Sequence, residues 1–282
     1  MVIIKTEYFK INRWSNIKSK LKTILFCTIF NLFFELSLRG ITELIIRPIL
    51  FIVILIIYLT LFIMLEDFIT RYKFEDKHVV LFSSCYGTLY FFISSNIYSI
   101  NPWFFGVNLG MLLFVSIVWW AFYQTLFPLY LSHRLFSRDW NQEYLSKAKW
   151  IIALGFHLLA NLLIVISPAT VIGTPIGYIT TVLIATIFAI FLIKSLKNRK
   201  VKDSINFEEQ EISELEHYKI LDVLGIVSFI MMSFCAFFLI FDPIQAGSSR
   251  VNATALAIMV VWTFIVMFTE LFIMIFKRKI PV

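Results

Sequence analysis

From Pro48 to Leu65 the chain reads PILFIVILIIYLTLFIML, eighteen residues without a single charge. A run of that kind can be buried by a large soluble core or by a lipid bilayer. The rest of the sequence decides between them. Other runs of similar character recur along all 282 residues, and Lys and Arg crowd the gaps between them. Sixty per cent of the residues are hydrophobic, 15 per cent are charged and the mean hydropathy is +0.85. A soluble domain is about half apolar and a quarter charged, so this chain has too little polar surface to cover such a core. The expected fold class is all-α, a polytopic helical bundle in the membrane. Barrel strands are excluded because they alternate polar and apolar residues over about ten positions.

A helix needs about 20 apolar residues to cross a bilayer. Seven windows satisfy this directly: 44–65, 79–100, 103–127, 150–172, 175–193, 221–241 and 254–276. An eighth, 21–38, is shorter and carries Asn31 and Glu35. The positive-inside rule resolves it, because Lys and Arg accumulate in cytoplasmic segments. If 21–38 crosses, 22 basic residues fall on one side, and only Arg39, Arg47 and Arg250 on the other. If it does not, the division degrades to 16 against 9. Eight spans are therefore expected, as four hairpins in one transmembrane domain with both termini cytoplasmic, in the cell membrane. Three outer turns contain X-Pro, which stops helices because the residue before Pro avoids the helical region.

Residues 1–20 read as a basic interfacial helix with Trp14 and Ile17 toward lipid. The span-like segment behind them lacks an Ala-x-Ala cleavage signal, so a signal peptide is not expected. Glu35 precedes Arg39 by four residues and Glu43 precedes Arg47 by four, the favourable acid-then-base order on a helix face. Both pairs read as interfacial anchors. The loop 194–220 opens with a basic run, KSLKNRKVK, and turns acidic from Asp203 to Glu216, with Asn206 placed to cap a helix.

Chemistry is mostly absent from the motifs. Cys27, Cys85 and Cys235 lie singly in proposed spans and read as buried apolar residues. The four histidines form no H-E-x-x-H or other close pair. No P-loop, nucleophile elbow or dinucleotide fingerprint occurs. No cofactor and no metal site is expected, and an enzyme is less expected than a non-enzyme.

Polar residues inside spans are costly and tend to face a bundle interior. His157 and Asn161 are four apart, hence on one helix face. At ~1.5 Å per residue they lie about 10 and 16 Å from Trp150, and Glu270 lies about 9 Å from Phe276. With Gln124 these residues define a polar level in the inner half, where a His–Glu pair could carry protons or bind a cation. A transporter of small solutes or ions is the first functional expectation. The alternative is an enzyme acting on a lipid or isoprenoid, with headgroups contacted by His133, Arg134, Arg138, Lys197, Arg199 and Lys200, and Asp139 beside them. A third reading is an assembly subunit without activity.

Gly177, Thr181, Ala185 and Ala189 recur every four residues, and Gly106 and Gly110 form a G-x-x-x-G. Ser84, Thr88 and Ser95 add a further stripe. Small residues so spaced let helices approach closely in lipid. Expected partners are the bilayer, anionic lipids at the basic segments and a second copy of the chain. Nucleic acid is not expected, because the +7 net charge is spread over five segments rather than gathered on one face.

Overall fold

The computed structural model describes residues 3–90, 104–136, 145–165, 174–203, 218–239 and 252–276, and for 3–19, 165 and 199–203 the backbone alone. The regular elements are helices: α1 (Ile3–Arg39), α2 (Ile41–Ile46), α3 (Pro48–Tyr72), α4 (Asp76–Tyr90), α5 (Leu109–Leu113), a π-helix (Phe114–Leu126), α6 (Phe127–Leu135), α7 (Lys147–Val165), α8 (Pro175–Asp203), α9 (Lys219–Phe238) and α10 (Ala253–Phe276). Lipid offers no hydrogen bonds, and a helix is the structure that satisfies its whole backbone internally.

Among the described residues seven helical stretches are long and apolar enough to cross a membrane: Lys20–Arg39, Pro48–Tyr72, Leu109–Leu135, Lys147–Ile164, Pro175–Asn198, Lys219–Phe238 and Ala253–Phe276. The segment 21–38 is among them. Of the expected span 79–100, the part to Tyr90 belongs to α4, and 91–100, with Ser95, lies outside the described residues. The basic N-terminal residues from Ile3 belong to the same unbroken helix, α1, as 21–38.

Several helices outrun their apolar windows. α3 continues seven residues past Leu65, which makes Glu66 and Asp67 part of the helix rather than of a loop. It ends where Lys73 turns left-handed (φ 48°) and the Phe74 amide reaches back to the Ile69 carbonyl at 3.1 Å. α8 carries on to Asp203, so Lys194, Lys197, Arg199 and Lys200 lie on its last turns. Asn206 lies outside the described residues.

Contacts gather the helix ends into two layers. At one, the Arg39 end, Asn252 caps α10 by accepting from Thr254 and Ala255, donates its side chain to the Leu239 carbonyl at 2.8 Å, and donates its amide to Leu38. At the other, the Tyr72 end, Asp67 accepts from the Leu145 amide and from the Trp150 indole at 2.7 Å, clipping α7 to α3. α3, α4 and the π-helix fill the centre together with the second half of α1. α7 and α8, consecutive in sequence, lean on different partners, α7 on α3 and α8 on α4.

The small-residue face of α8 lies against α4. Gly177, Thr181 and Ala185 are buried, Ala189 is half-buried, and the Cys85 thiol donates to the Ala185 carbonyl at 3.4 Å. Gly106 and Gly110 differ from expectation. Gly106 precedes the helix with φ +75°, so the pair does not share a helix face. A Cβ at Gly106 would come within 2.7 Å of the Gly177 nitrogen, whereas one at Gly110 would meet only Asn108.

Candidate functional site

Among the described residues, two sets of buried polar side chains link several helices. The first begins at the Arg39 end. Arg39 donates Nε to Glu35 Oε2 at 3.1 Å, one turn along α1. The Tyr58 hydroxyl of α3 donates to Glu35 Oε1 at 2.9 Å and accepts from Gln124 Nε2 of the π-helix at 2.8 Å. An unbroken chain of hydrogen bonds thus runs from a half-exposed arginine to a buried amide.

The backbone beside that amide is also engaged. Pro128 has no N–H, so the Gln124 carbonyl lacks the donor an α-helix would supply four residues on. Asn31 Nδ2 of α1 fills that role at 2.8 Å. Asn31, the polar residue that made 21–38 a doubtful span, is completely buried in this contact.

His157 of α7 lies on the other side of α3. Its Nδ1 is 2.8 Å from Thr60 Oγ1 and its Nε2 is 3.1 Å from the Tyr86 hydroxyl of α4. Thr60 gives its one proton to the Ile56 carbonyl at 2.7 Å, so Nδ1 carries the hydrogen and Nε2 accepts from Tyr86. Trp120 packs between the two halves, with ring centroids 5.6 Å from Tyr58 and 5.0 Å from Tyr86. The approach is tight there, since a Cβ on Gly87 would lie 2.6 Å from the Trp120 Cβ. Thr88 extends the same α4 face with a 3.0 Å bond to Ser116.

The second set occupies the Tyr72 end. Glu66 and His133 are both buried, with Oε1 and Nε2 3.9 Å apart. Asp67 binds Arg71 at 3.0 Å in addition to Leu145 and Trp150. His78 accepts the Glu75 amide on Nδ1, leaving Nε2–H for Ser195 at 3.0 Å. Glu270 is 0 % exposed, and neither of its oxygens has a hydrogen-bond partner. Asp76, at the start of α4, is buried as well.

The expected polar level is therefore divided. Gln124 and His157 belong to the first set and Glu270 to the second. His157 has given both ring nitrogens to Thr60 and Tyr86, so it makes no hydrogen bond to Glu270. Asn161 returns its amide to the His157 carbonyl at 2.8 Å, within its own helix. His133, 6 % exposed, faces Glu66 rather than a headgroup. Arg134 pairs with Asp222 at 3.3 Å. Lys197 is exposed on α8, the side chains of Arg199 and Lys200 lie outside the described residues, and Arg138 and Asp139 lie outside them entirely.

Sequence reading missed Tyr58, Tyr86, Glu66, Asp67, Asp76 and His78 as interior groups. Asp67 did carry a signal, since Arg71 follows it by the four-residue interval already noted for Glu35 and Glu43. Among the described residues no three His, Cys, Asp or Glu side chains are placed to hold a metal ion. No protein-family model, no curated protein and no solved structure matches this chain. What the protein does has to be read from its own side chains.

Proposed function

We propose that the protein moves a small solute or ion across a membrane, along the buried polar side chains between α1, α3, α4, α7 and the π-helix. The observation that carries this reading is the chain Arg39–Glu35–Tyr58–Gln124. Polar groups inside a membrane bundle are expensive and mark pathways for ions and protons. Here they are aligned from one rim into the core rather than scattered. The lipid-enzyme alternative draws less support, because His133 is turned inward and Arg134 is already tied to Asp222.

Orientation follows from the division of basic residues, which makes the Tyr72 end cytoplasmic. Cysteines introduced at Ser15, Ser137 and Ser204 are then shielded from an impermeant thiol reagent in intact cells, and one at Ser248 is labelled. Labelling at Ser15 without labelling at Ser137 would mean that 21–38 does not cross.

The function itself is tested in liposomes enclosing a pH-sensitive dye, with imposed gradients of sodium, potassium or chloride and then a panel of small metabolites. Dye response above that of empty liposomes is expected for at least one gradient. Tyr58→Phe should slow it about tenfold, the equivalent of one net hydrogen bond of ~1.4 kcal/mol. A protein whose liposomes match empty ones under every gradient is not a transporter of this kind.

A further inference from the structure

Two tryptophans stand side by side in the π-helix, Trp119 and Trp120. Adjacent residues on a helix do not face each other, so the two indoles enter different surroundings. Trp119 donates its N–H to Thr263 of α10 at 3.2 Å, and its ring centroid lies 5.3 Å from that of Phe34 in α1. Trp120 is turned toward α3 and α4 and is 3 % exposed. A buried indole N–H normally finds an acceptor. Of the four tryptophans with described side chains, Trp119, Trp150 and Trp262 follow that rule, donating to Thr263, Asp67 and Ser228. Trp120 donates to no described residue.

Its neighbours are aromatic instead. The ring centroid lies 5.6 Å from Tyr58, 5.0 Å from Tyr86 and 4.8 Å from Tyr90. The seat on α4 is Gly87, where a Cβ would lie 2.7 Å from Trp120 Cγ and 2.8 Å from its Cδ1. Moving Trp119, Trp150 or Trp262 strands a donor and an acceptor together, which is costly inside a bundle. Trp120 can leave its seat by giving up packing alone. The seat also has a position in the polar interior. On its α3 side Tyr58 joins Glu35 to Gln124, and on its α4 side Tyr86 is bonded to His157, which also meets Thr60. Among the described residues no side-chain hydrogen bond links one group to the other. An apolar ring at such a junction stops ions and polar solutes, as apolar constrictions do in pores.

We propose that Trp120 is the gate of the polar path. Its indole closes the way between the Tyr58 and Tyr86 groups in this structure, and swings off Gly87 to join them. The gate rests on the transport reading for what passes through it, whereas the movement of the ring is measurable without transport.

The test is fluorine NMR of the full-length protein in lipid nanodiscs, with fluorotryptophan at all seven tryptophans. Trp120→Phe identifies the Trp120 signal by its loss. Relaxation dispersion reads exchange on the μs–ms scale, where gating motions fall. Exchange is expected at Trp120 and not at the hydrogen-bonded Trp119 and Trp262. A flat profile at Trp120 overturns the gate, even where the liposomes show flux. The dye assay supplies the second arm. Trp120→Ala, with a cooperative melting transition retained, should speed the response about tenfold because the partition is gone. Should that variant not fold, Trp120→Leu fills more of the seat and is expected to give about threefold. A folded variant no faster than wild type overturns the gate. Silent liposomes for wild type and both variants remove the transport reading and the gate with it, whatever the ring does.

Discussion

The two ends of the bundle both bring acids to the edge of an apolar core, and they treat them differently. At the Arg39 end two described acids have an arginine one turn along: Glu35 with Arg39 at 3.1 Å, Glu43 with Arg47 at 3.4 Å. At the Tyr72 end Asp67 has that arrangement, with Arg71 at 3.0 Å. Glu66 meets a histidine from another helix, and neither oxygen of the buried Glu270 has a hydrogen-bond partner. A charge neutralised within its own helix is settled before the bundle assembles. One buried between helices has its state fixed by packing, so it can depend on what the surroundings supply.

Five substitutions test how far that distinction goes, read as changes in thermal unfolding of the detergent-solubilised protein. The largest effect is expected from Asp67→Ala, about 3 kcal/mol, because it strands the Trp150 indole, the Leu145 amide and Arg71 together. A loss no greater than that of a surface pair would show that the clip between α3 and α7 is incidental. Next comes Ala185→Leu, a yardstick free of charge. Three added carbons on the tight α4–α8 face should cost about 2 kcal/mol. Leu183→Ala, at a position 59 % exposed, should cost clearly less, and equal losses would deny that the small-residue face matters. Tyr58→Phe removes one hydroxyl that serves both Glu35 and Gln124, for about 1 kcal/mol. Glu43→Gln should be smallest, about 0.5 kcal/mol, as expected for a pair whose arginine remains in contact with solvent. If Glu43→Gln rivals Asp67→Ala, the contrast between the ends fails.

Local features were the ones legible in the sequence. The helical membrane class followed from runs such as Pro48–Leu65, and the acid–arginine pairs from four-residue spacing. The α8 face could be read for the same reason, since Gly177, Thr181 and Ala185 repeat along one helix. The partners of His157 could not be read, because Thr60 and Tyr86 lie on two other helices and carry no pattern of their own. Helix ends were misplaced where charge marked the limit of apolarity but not of winding. Glu66 and Asp67 looked like a loop because acids usually sit outside a span, yet the bundle at that end encloses them. Asn31 and Glu35 weakened the case for 21–38 as a span, although in the bundle they are the groups that join α1 to its neighbours.

The π-helix has a consequence for how its rod can be wound. A π turn pairs each carbonyl with the fifth residue on, whereas an α turn pairs it with the fourth. For most of Phe114–Leu126 either register has an amide available. At Tyr123 and Gln124 it does not, because Pro128 is the fifth residue on from the first, which removes a π donor, and the fourth on from the second, which removes an α donor. The α register is barred at that turn whatever the rest of the rod does. With the Gln124 carbonyl also held by Asn31, the wide winding is pinned at its C-terminal boundary, and a rewinding that moves this carbonyl has to break its grip on α1 first.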